Sequence, residues 1–403
     1  MRIRTQLSTL LKNKGVRIRT QLSTLLKSYN LFMNNSIFRN LIWMYLGYVW
    51  FTTISKSVLA THIFQQGLTL NQMMLGQAIQ FASQLALLLL IKKYASKKSW
   101  LLAIVAAAIS IALVINIHSL AQYYLAVSFG GFALGLFFVM YNIAHFKNTP
   151  KEKTGYSSGI MYAIGPAISI VAPLIAGTIA TYNINLLWYI SIFSFLIALF
   201  TVRIQTDFKI SYKLKESLEE LKPTRVYIFL EGIWEAVIIS VIPIYTLKFI
   251  STPLDYGKYI AYLSLAGLIA NVILGKLTDK LQKRSIFIYP ITILLAILTI
   301  ALSFSLSNIY SWIIITGFIQ FLIPIFWNIT TSFVVDKHTN LETAIPGREI
   351  LLAVGRMLGL GITYLGFQYN YIQPTFIVLA IAILLLPATL FWNTSIKNKY
   401  TYL

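Results

Sequence analysis

The stretch "VYIFLEGIWEAVIISVIPIYTL", residues 226–247, has the apolar character of a membrane span and yet carries two acids, Glu231 and Glu235. At 1.5 Å per residue it is long enough to cross a hydrocarbon core of about 30 Å. The acids stand at i and i+4, so they share one face of a helix. A charge at the bilayer centre costs about 2.5–3.5 kcal/mol on insertion scales, so such a group faces a cavity or a partner. The rest of the chain has to supply that partner.

Segments of this kind recur. Twelve are apparent, at roughly 38–61, 71–91, 100–117, 121–146, 156–181, 185–203, 225–250, 257–275, 285–306, 309–335, 347–369 and 374–393. The composition agrees: 57% of the 403 residues are hydrophobic and only 11% charged, with a mean hydropathy of +0.72. The fold class expected is an all-α membrane protein of twelve transmembrane helices in two six-helix bundles. There is no cysteine, hence no disulfide framework, thiolate site or cysteine nucleophile. The four histidines, His62, His118, His145 and His338, lack any metal-ligand spacing. No metal, no cofactor and no enzymatic activity are expected.

The net charge of +21 is distributed by topology. With a cytoplasmic N-terminus, Lys248 and Lys258 alone fall outside, Lys56 and Arg356 fall within spans, and the other 29 of the 33 basic residues, Arg348 among them, lie inside. That is the positive-inside pattern of a multi-pass cell-membrane protein with both termini cytoplasmic. The bases are not gathered on one folded face, so no nucleic-acid partner is expected.

Five regions follow: a basic segment 1–37, a first bundle 38–203, a linker 204–224, a second bundle 225–395 and a tail 396–403. In the linker, "YKLKESLEELK" places Leu214, Leu218 and Leu221 on one helical face, which predicts a short amphipathic helix on the inner membrane surface. The halves also match each other. "YVW" at 48–50 corresponds to "GIW" at 232–234, "KKS" at 97–99 to "KRS" at 283–285, and "MYN" at 140–142 to "FWN" at 326–328, at almost one offset. Duplication of this kind is common in transporters, with the substrate path between the repeats.

After the eighth segment comes "GKLTDKLQKR", Gly275 to Arg284. It resembles the signature loop of the major facilitator superfamily: Gly275, Leu277, Asp279, Lys280, Lys283 and Arg284 match, and Gln282 departs where glycine is usual. The resemblance implies a secondary transporter over about residues 38–395. It also implies gating by Gly275, Asp279, Lys280, Lys283 and Arg284, with Asp279 latching onto the start of helix five near Gly155. The equivalent first-half loop, "LLIKKYASKK", has lost both the glycine and the aspartate. In helix five, "APLIAG" at 172–177 is similar to a motif of family exporters, which implies efflux.

The partners for the acids are sought at comparable depth. Counting 1.5 Å per residue from the inner face, Glu235 and Arg356 both lie about 14–15 Å deep. A Glu235–Arg356 pair is therefore expected, with Glu231 or Lys56 adding to the field. A carboxylate whose surroundings alternate between cation and apolar wall takes up and releases protons, so these four residues are the proton-coupling candidates. A fixed ion pair that positions helices is the alternative. Gln77, Gln80 and Gln84 form a polar stripe, and Trp50 and Trp234 are pseudo-symmetric aromatics; all five are candidates for the substrate cavity. Asn142 and Asn328 lie toward the inner ends of their helices and suit a gate.

The function expected is proton-coupled transport of a small solute by alternating access, with protons, the small-molecule substrate and membrane lipid as partners and a monomer as the working unit. A lipid or glycan flippase is the nearer rival. A membrane-embedded enzyme ranks below it, since His145 and His338 have no local partner motif. An ATP-driven pump is disfavoured by the lack of a G-x-x-x-x-G-K-[ST] loop.

"RIRTQLSTLLK" occurs at 2–12 and again at 17–27, each copy with an apolar face opposite a basic one. Either copy suits an anionic inner leaflet. A chain started at position 16 is therefore expected to insert and transport as the full chain does. Membrane fractionation of the shortened protein checks this, and a large fall in insertion would show that both copies are needed.

Overall fold

The computed structural model describes residues 36–149, 154–278, 288–338 and 340–392. The first half contains α1 (Ser36–Lys56), α2 (Leu59–Gln65), α3 (Leu70–Leu90), α4 (Ser96–Ile115), α5 (Leu120–Lys147), α6 (Thr154–Tyr182) and α7 (Leu187–Arg203). The linker holds α8 (Leu214–Glu220). The second half contains α9 (Arg225–Ala236), α10 (Ile242–Thr246), α11 (Pro253–Thr278), α12 (Ile288–Phe304), α13 (Ile309–Lys337), α14 (Leu341–Gln368) and α15 (Ile372–Trp392). Two short strands, β1 (Lys93–Ala95) and β2 (Lys209–Ser211), complete it.

Nine helices among the described residues are long and apolar enough to cross a membrane. α1, α11 and α12 are not among the nine. α1 is diluted by Arg39, Lys56 and several polar residues, and α11 by Asp255 and Lys258, while α12 is a shorter apolar helix. Two expected spans are also interrupted. The segment 38–61 breaks after Lys56, and the segment 225–250 passes through a π turn at Val237–Val241, one residue beyond the Ala236 that follows Glu235. Single π turns inside helices often mark functional positions.

Each half has its own apolar core. In the first, Trp100, Tyr123, Phe137 and Tyr141 are fully enclosed; in the second, Trp234, Trp312, Phe326 and Tyr227. Helix pairs α6–α11 and α3–α14 join the halves. At the end away from the linker, Gln65 Nε2 donates to the Ser251 carbonyl (2.9 Å) and Asn71 Nδ2 to Gln368 Oε1 (3.0 Å). At the linker end, Lys147 pairs with Glu342, and Asn271 Nδ2 donates to the Tyr162 carbonyl (3.2 Å). Cross-half contacts therefore occur at both ends.

The "APLIAG" stretch belongs to this seam. A Cβ on Gly177 would lie 2.8 Å from the Pro253 carbonyl oxygen, so the small residue lets α6 meet the start of α11. Close packing accounts for it without reference to efflux.

The linker is bound to protein. The predicted amphipathic helix forms as α8, but Leu221 and Ser217 pack at Gly347 of α14 rather than lying on lipid. Strand β2 pairs antiparallel with β1, Tyr94 opposite Ile210. Asp207 Oδ1 accepts from the Lys97 backbone N–H (3.1 Å) and Ser96 Oγ (2.9 Å), capping the start of α4. The Lys97 backbone hydrogen bond, with Ser96 and nearby lysines, holds the Asp207 carboxyl below the usual range. The loop that lost the signature residues is thus tied to the linker instead.

The tightest crossing in the second half is between α9 and α14, which run in the same direction from the linker end. A Cβ on Gly232 would meet the Leu352 carbonyl oxygen at 2.6 Å and Gly355 Cα at 3.0 Å; one on Gly355 would meet Gly232 Cα at 2.9 Å. Backbone faces backbone, so there is no flexible side chain to give way. Gly232→Ala and Gly355→Ala are each expected to destabilise the protein by about 1–3 kcal/mol, the usual range for overpacking. Gly361→Ala, on α14 with nothing within 4 Å, is expected to be neutral or to stabilise by up to about 1 kcal/mol. Denaturation of the purified protein in detergent checks the contrast, and equal effects at all three positions would refute it.

Candidate functional site

The close crossing brings the charged residues of α9 and α14 together. Glu235 is only 2% exposed, and its Oε2 accepts from Arg356 Nε (2.7 Å) and Nη2 (2.6 Å). Its Oε1 accepts from Trp327 Nε1 (2.6 Å). Side chains on a helix lean toward its N-terminus, which lets Arg356 reach back to Glu235. The guanidinium also lies 5.2 Å from the centre of the Phe81 ring on α3, a cation–π contact across the halves.

One turn nearer the linker, Glu231 is fully buried. Its Oε1 accepts from Arg348 Nη2 (3.2 Å) and Thr330 Oγ1 (3.0 Å). The same Arg348 serves a second carboxylate, with Nη1 at 3.4 Å from Glu349 Oε1. Glu349 Oε2 in turn accepts from Gln84 Nε2 of α3 at 3.5 Å. Glu231 Oε2 and Arg348 Nε are buried with no hydrogen-bond partner among the described residues. Arg348 Nη2 also reaches Thr331 Oγ1 (3.5 Å), whose hydroxyl is bonded to Tyr162 of α6 (2.5 Å). The Tyr162 ring stacks on Trp327. The cluster therefore draws on both halves.

The expected Glu235–Arg356 contact is present, and Glu231, itself paired with Arg348, lies in the same charged group. Lys56 is not in the cluster: its Nζ lies 3.5 Å from Ser110 Oγ on α4 and it lines a cavity of about 350 Å³ within the first half. Gln80 lines the same cavity. Gln84 joins the charged cluster instead, and Gln77 sits beside Tyr123. Trp234 is fully buried, donates to Thr299 Oγ1 (3.0 Å) and meets Phe326 edge-on, so it packs the second core rather than a cavity. Trp50 donates to Ser194 Oγ (3.2 Å) and is likewise a packing residue.

Asn328 is buried, with its amide facing Gly159 of α6; the Asn142 side-chain oxygen is buried without a hydrogen-bond partner among the described residues. Gly275 lies in α11, while Asp279, Lys280, Lys283 and Arg284, and with them the latch, lie outside the described residues. No group of three or more His, Asp or Glu able to hold a metal occurs among the described residues.

Arg348, Glu349, Trp327 and Thr330 were not anticipated. Arg348 looks like a loop base because the apolar run begins near it, yet α14 starts at Leu341, which puts Arg348 two turns inside the helix. A signal exists in "GREILLAVGR", where Gly-Arg recurs at 347–348 and 355–356. That spacing places two arginines beside small residues on nearly one face, opposite acids four apart.

The chain matches the Major Facilitator Superfamily over residues 31–338. Solved structures of similar fold include the human organic anion transporter TETRAN (TM-score 0.65, 12% identity, 87% of this chain and 99% of that one). The E. coli fucose:proton symporter has a TM-score of 0.61 at 11% identity, covering 89% and 99% of the two chains. A bacterial homologue of the iron transporter ferroportin, in an outward-facing state, has 0.57 at 14% identity, covering 91% and 99%. A comparison with curated protein sequences finds no match. Identities this low speak to the fold alone, but the sequence match spans most of the chain and agrees with it: the protein belongs to the major facilitator superfamily.

Proposed function

We propose that this protein is a twelve-span secondary transporter that couples movement of a small solute to protons by alternating access, with Glu231 as the coupling carboxylate. The observation that carries the reading is that Arg348 serves two buried carboxylates, Glu231 and Glu349, while Glu231 keeps one oxygen without a partner. With all groups ionised, Glu231, Glu235 and Glu349 face only Arg348 and Arg356 among the described residues. A proton on Glu231 removes the excess negative charge and leaves Arg348 to Glu349. Because Glu349 is bonded to Gln84 of the other half, the charge state of Glu231 bears on a cross-half contact. Glu235 differs: both its oxygens are satisfied, which suits a fixed pair that holds α9 to α14.

Glu231→Gln is expected to fold normally and to lose uphill transport driven by a pH gradient, while downhill exchange persists. Vesicles with an imposed gradient, screened for uptake and efflux, supply the measurement. Glu235→Gln leaves Arg356 buried and unpaired, a loss that typically costs 3–5 kcal/mol, roughly. Stability should fall and be restored in the double variant Glu235→Gln with Arg356→Gln. Normal uphill transport by a stable Glu231→Gln protein would sink the assignment.

The orientation proposed is that the linker face, with Lys92, Lys93, Lys97 and Lys98, is cytoplasmic, and both termini with it. Single cysteines at two exposed positions, Ser251 and Lys215, test this in intact cells. Ser251→Cys should be labelled from outside and Lys215→Cys should not; the reverse result inverts the topology.

A further inference from the structure

The first-half cavity is built around a cation with no carboxylate. Among the described residues Lys56 makes no ion pair, and its one polar contact is the long one to Ser110. Lys56 ends α1, and the chain breaks helix immediately after it, so the ammonium sits where α1 meets the cavity rather than at a membrane surface. A charge held there without a counter-ion is costly, and among the described residues no carboxylate pairs with it.

The other walls are rich in donors. Tyr45 and Tyr48 both line the cavity, and their phenols are potential donors to an anion held there. Their rings are fixed from behind: Tyr45 stacks on Tyr141 and Tyr48 on Phe137. Phe138, edge-on to both, supplies an apolar wall. Thr52 spends its hydroxyl on the Tyr48 carbonyl (2.9 Å), so it does not supply the missing acceptor. Water would hydrate the phenols and the ammonium but bring no counter-charge.

The volume of about 350 Å³ is at the small end of ligand pockets, which run from about 300 to 1,000 Å³. It suits a metabolite-sized molecule. We infer that this cavity binds a small organic monocarboxylate with an aromatic or apolar body, its carboxylate on Lys56 and the Tyr45 and Tyr48 hydroxyls and its body against Phe138. The inference rests on the reading of the chain as a transporter and names its substrate class. It also gives the two halves separate tasks: anion recognition in the first, proton handling in the second.

The test uses the purified full-length protein in detergent, with no gradient, and benzoate, benzamide and benzylammonium as probes of one shape and three charges. Benzoate should bind, seen as a calorimetric titration or a rise in melting temperature, at least ten-fold more tightly than the other two. Lys56→Gln should lose at least ten-fold in benzoate affinity, and Lys56→Arg should keep most of it. Benzamide or benzylammonium binding as well as benzoate, or no binding of benzoate, overturns the inference without any variant having to fold. So does undiminished binding by Lys56→Gln, and in each of these cases the proton-coupling reading is untouched. Binding that depends on Lys56, joined to uptake indifferent to a pH gradient, keeps the inference and removes the coupling.

Discussion

The approach of α9 and α14 at Gly232 and Gly355 is the constraint on which the charged interior depends. Two helices whose backbones touch place their flanking side chains within reach of each other. Glu231 and Glu235 on one helix then meet Arg348 and Arg356 on the other without leaving the protein interior. A larger residue at the crossing would separate the helices and strand four ionisable groups in a medium that cannot solvate their charges. The small residues and the charges are therefore one feature: membrane helices associate through close packing and polar contacts, because hydrocarbon offers no hydrophobic drive between them.

The charges divide unequally along that seam. Glu235 is held by Arg356 and Trp327 and has no unmet valence. Glu231 shares its arginine and has a free oxygen, which is the arrangement in which gain or loss of a proton changes the surroundings most. Residues of the first half reach into this group through Gln84, Phe81 and Tyr162. Any motion that parts the halves at this level must disturb contacts made to charged groups. The cavity around Lys56 is lined by residues of the first half, Tyr45, Tyr48 and Val49 of its core among them.

The linker shows a similar economy of contacts. Where the first-half loop lacks the residues of the signature motif, it forms a short ladder with the linker, and Asp207 caps the helix that follows. The loop and the linker thereby stabilise each other. The linker helix α8 covers Gly347 on α14, one residue before Arg348, so linker, α14 and charged cluster form a continuous packed series.

Much was legible in the residues alone. Apolar length and basic asymmetry were sufficient for a multi-span membrane protein, because bilayer thickness imposes a length that a single sequence displays; the superfamily came from the resemblance carried by "GKLTDKLQKR". The Glu235–Arg356 contact was legible too, since rise per residue converts position into depth. What depth cannot convey is rotation about the helix axis and the distance between helices. Those put Trp50 and Trp234 into packed cores, took Lys56 out of the charged cluster, and brought Arg348 and Glu349 into it. They are set by which small residues allow two backbones to touch, and that is decided only when both helices are in place.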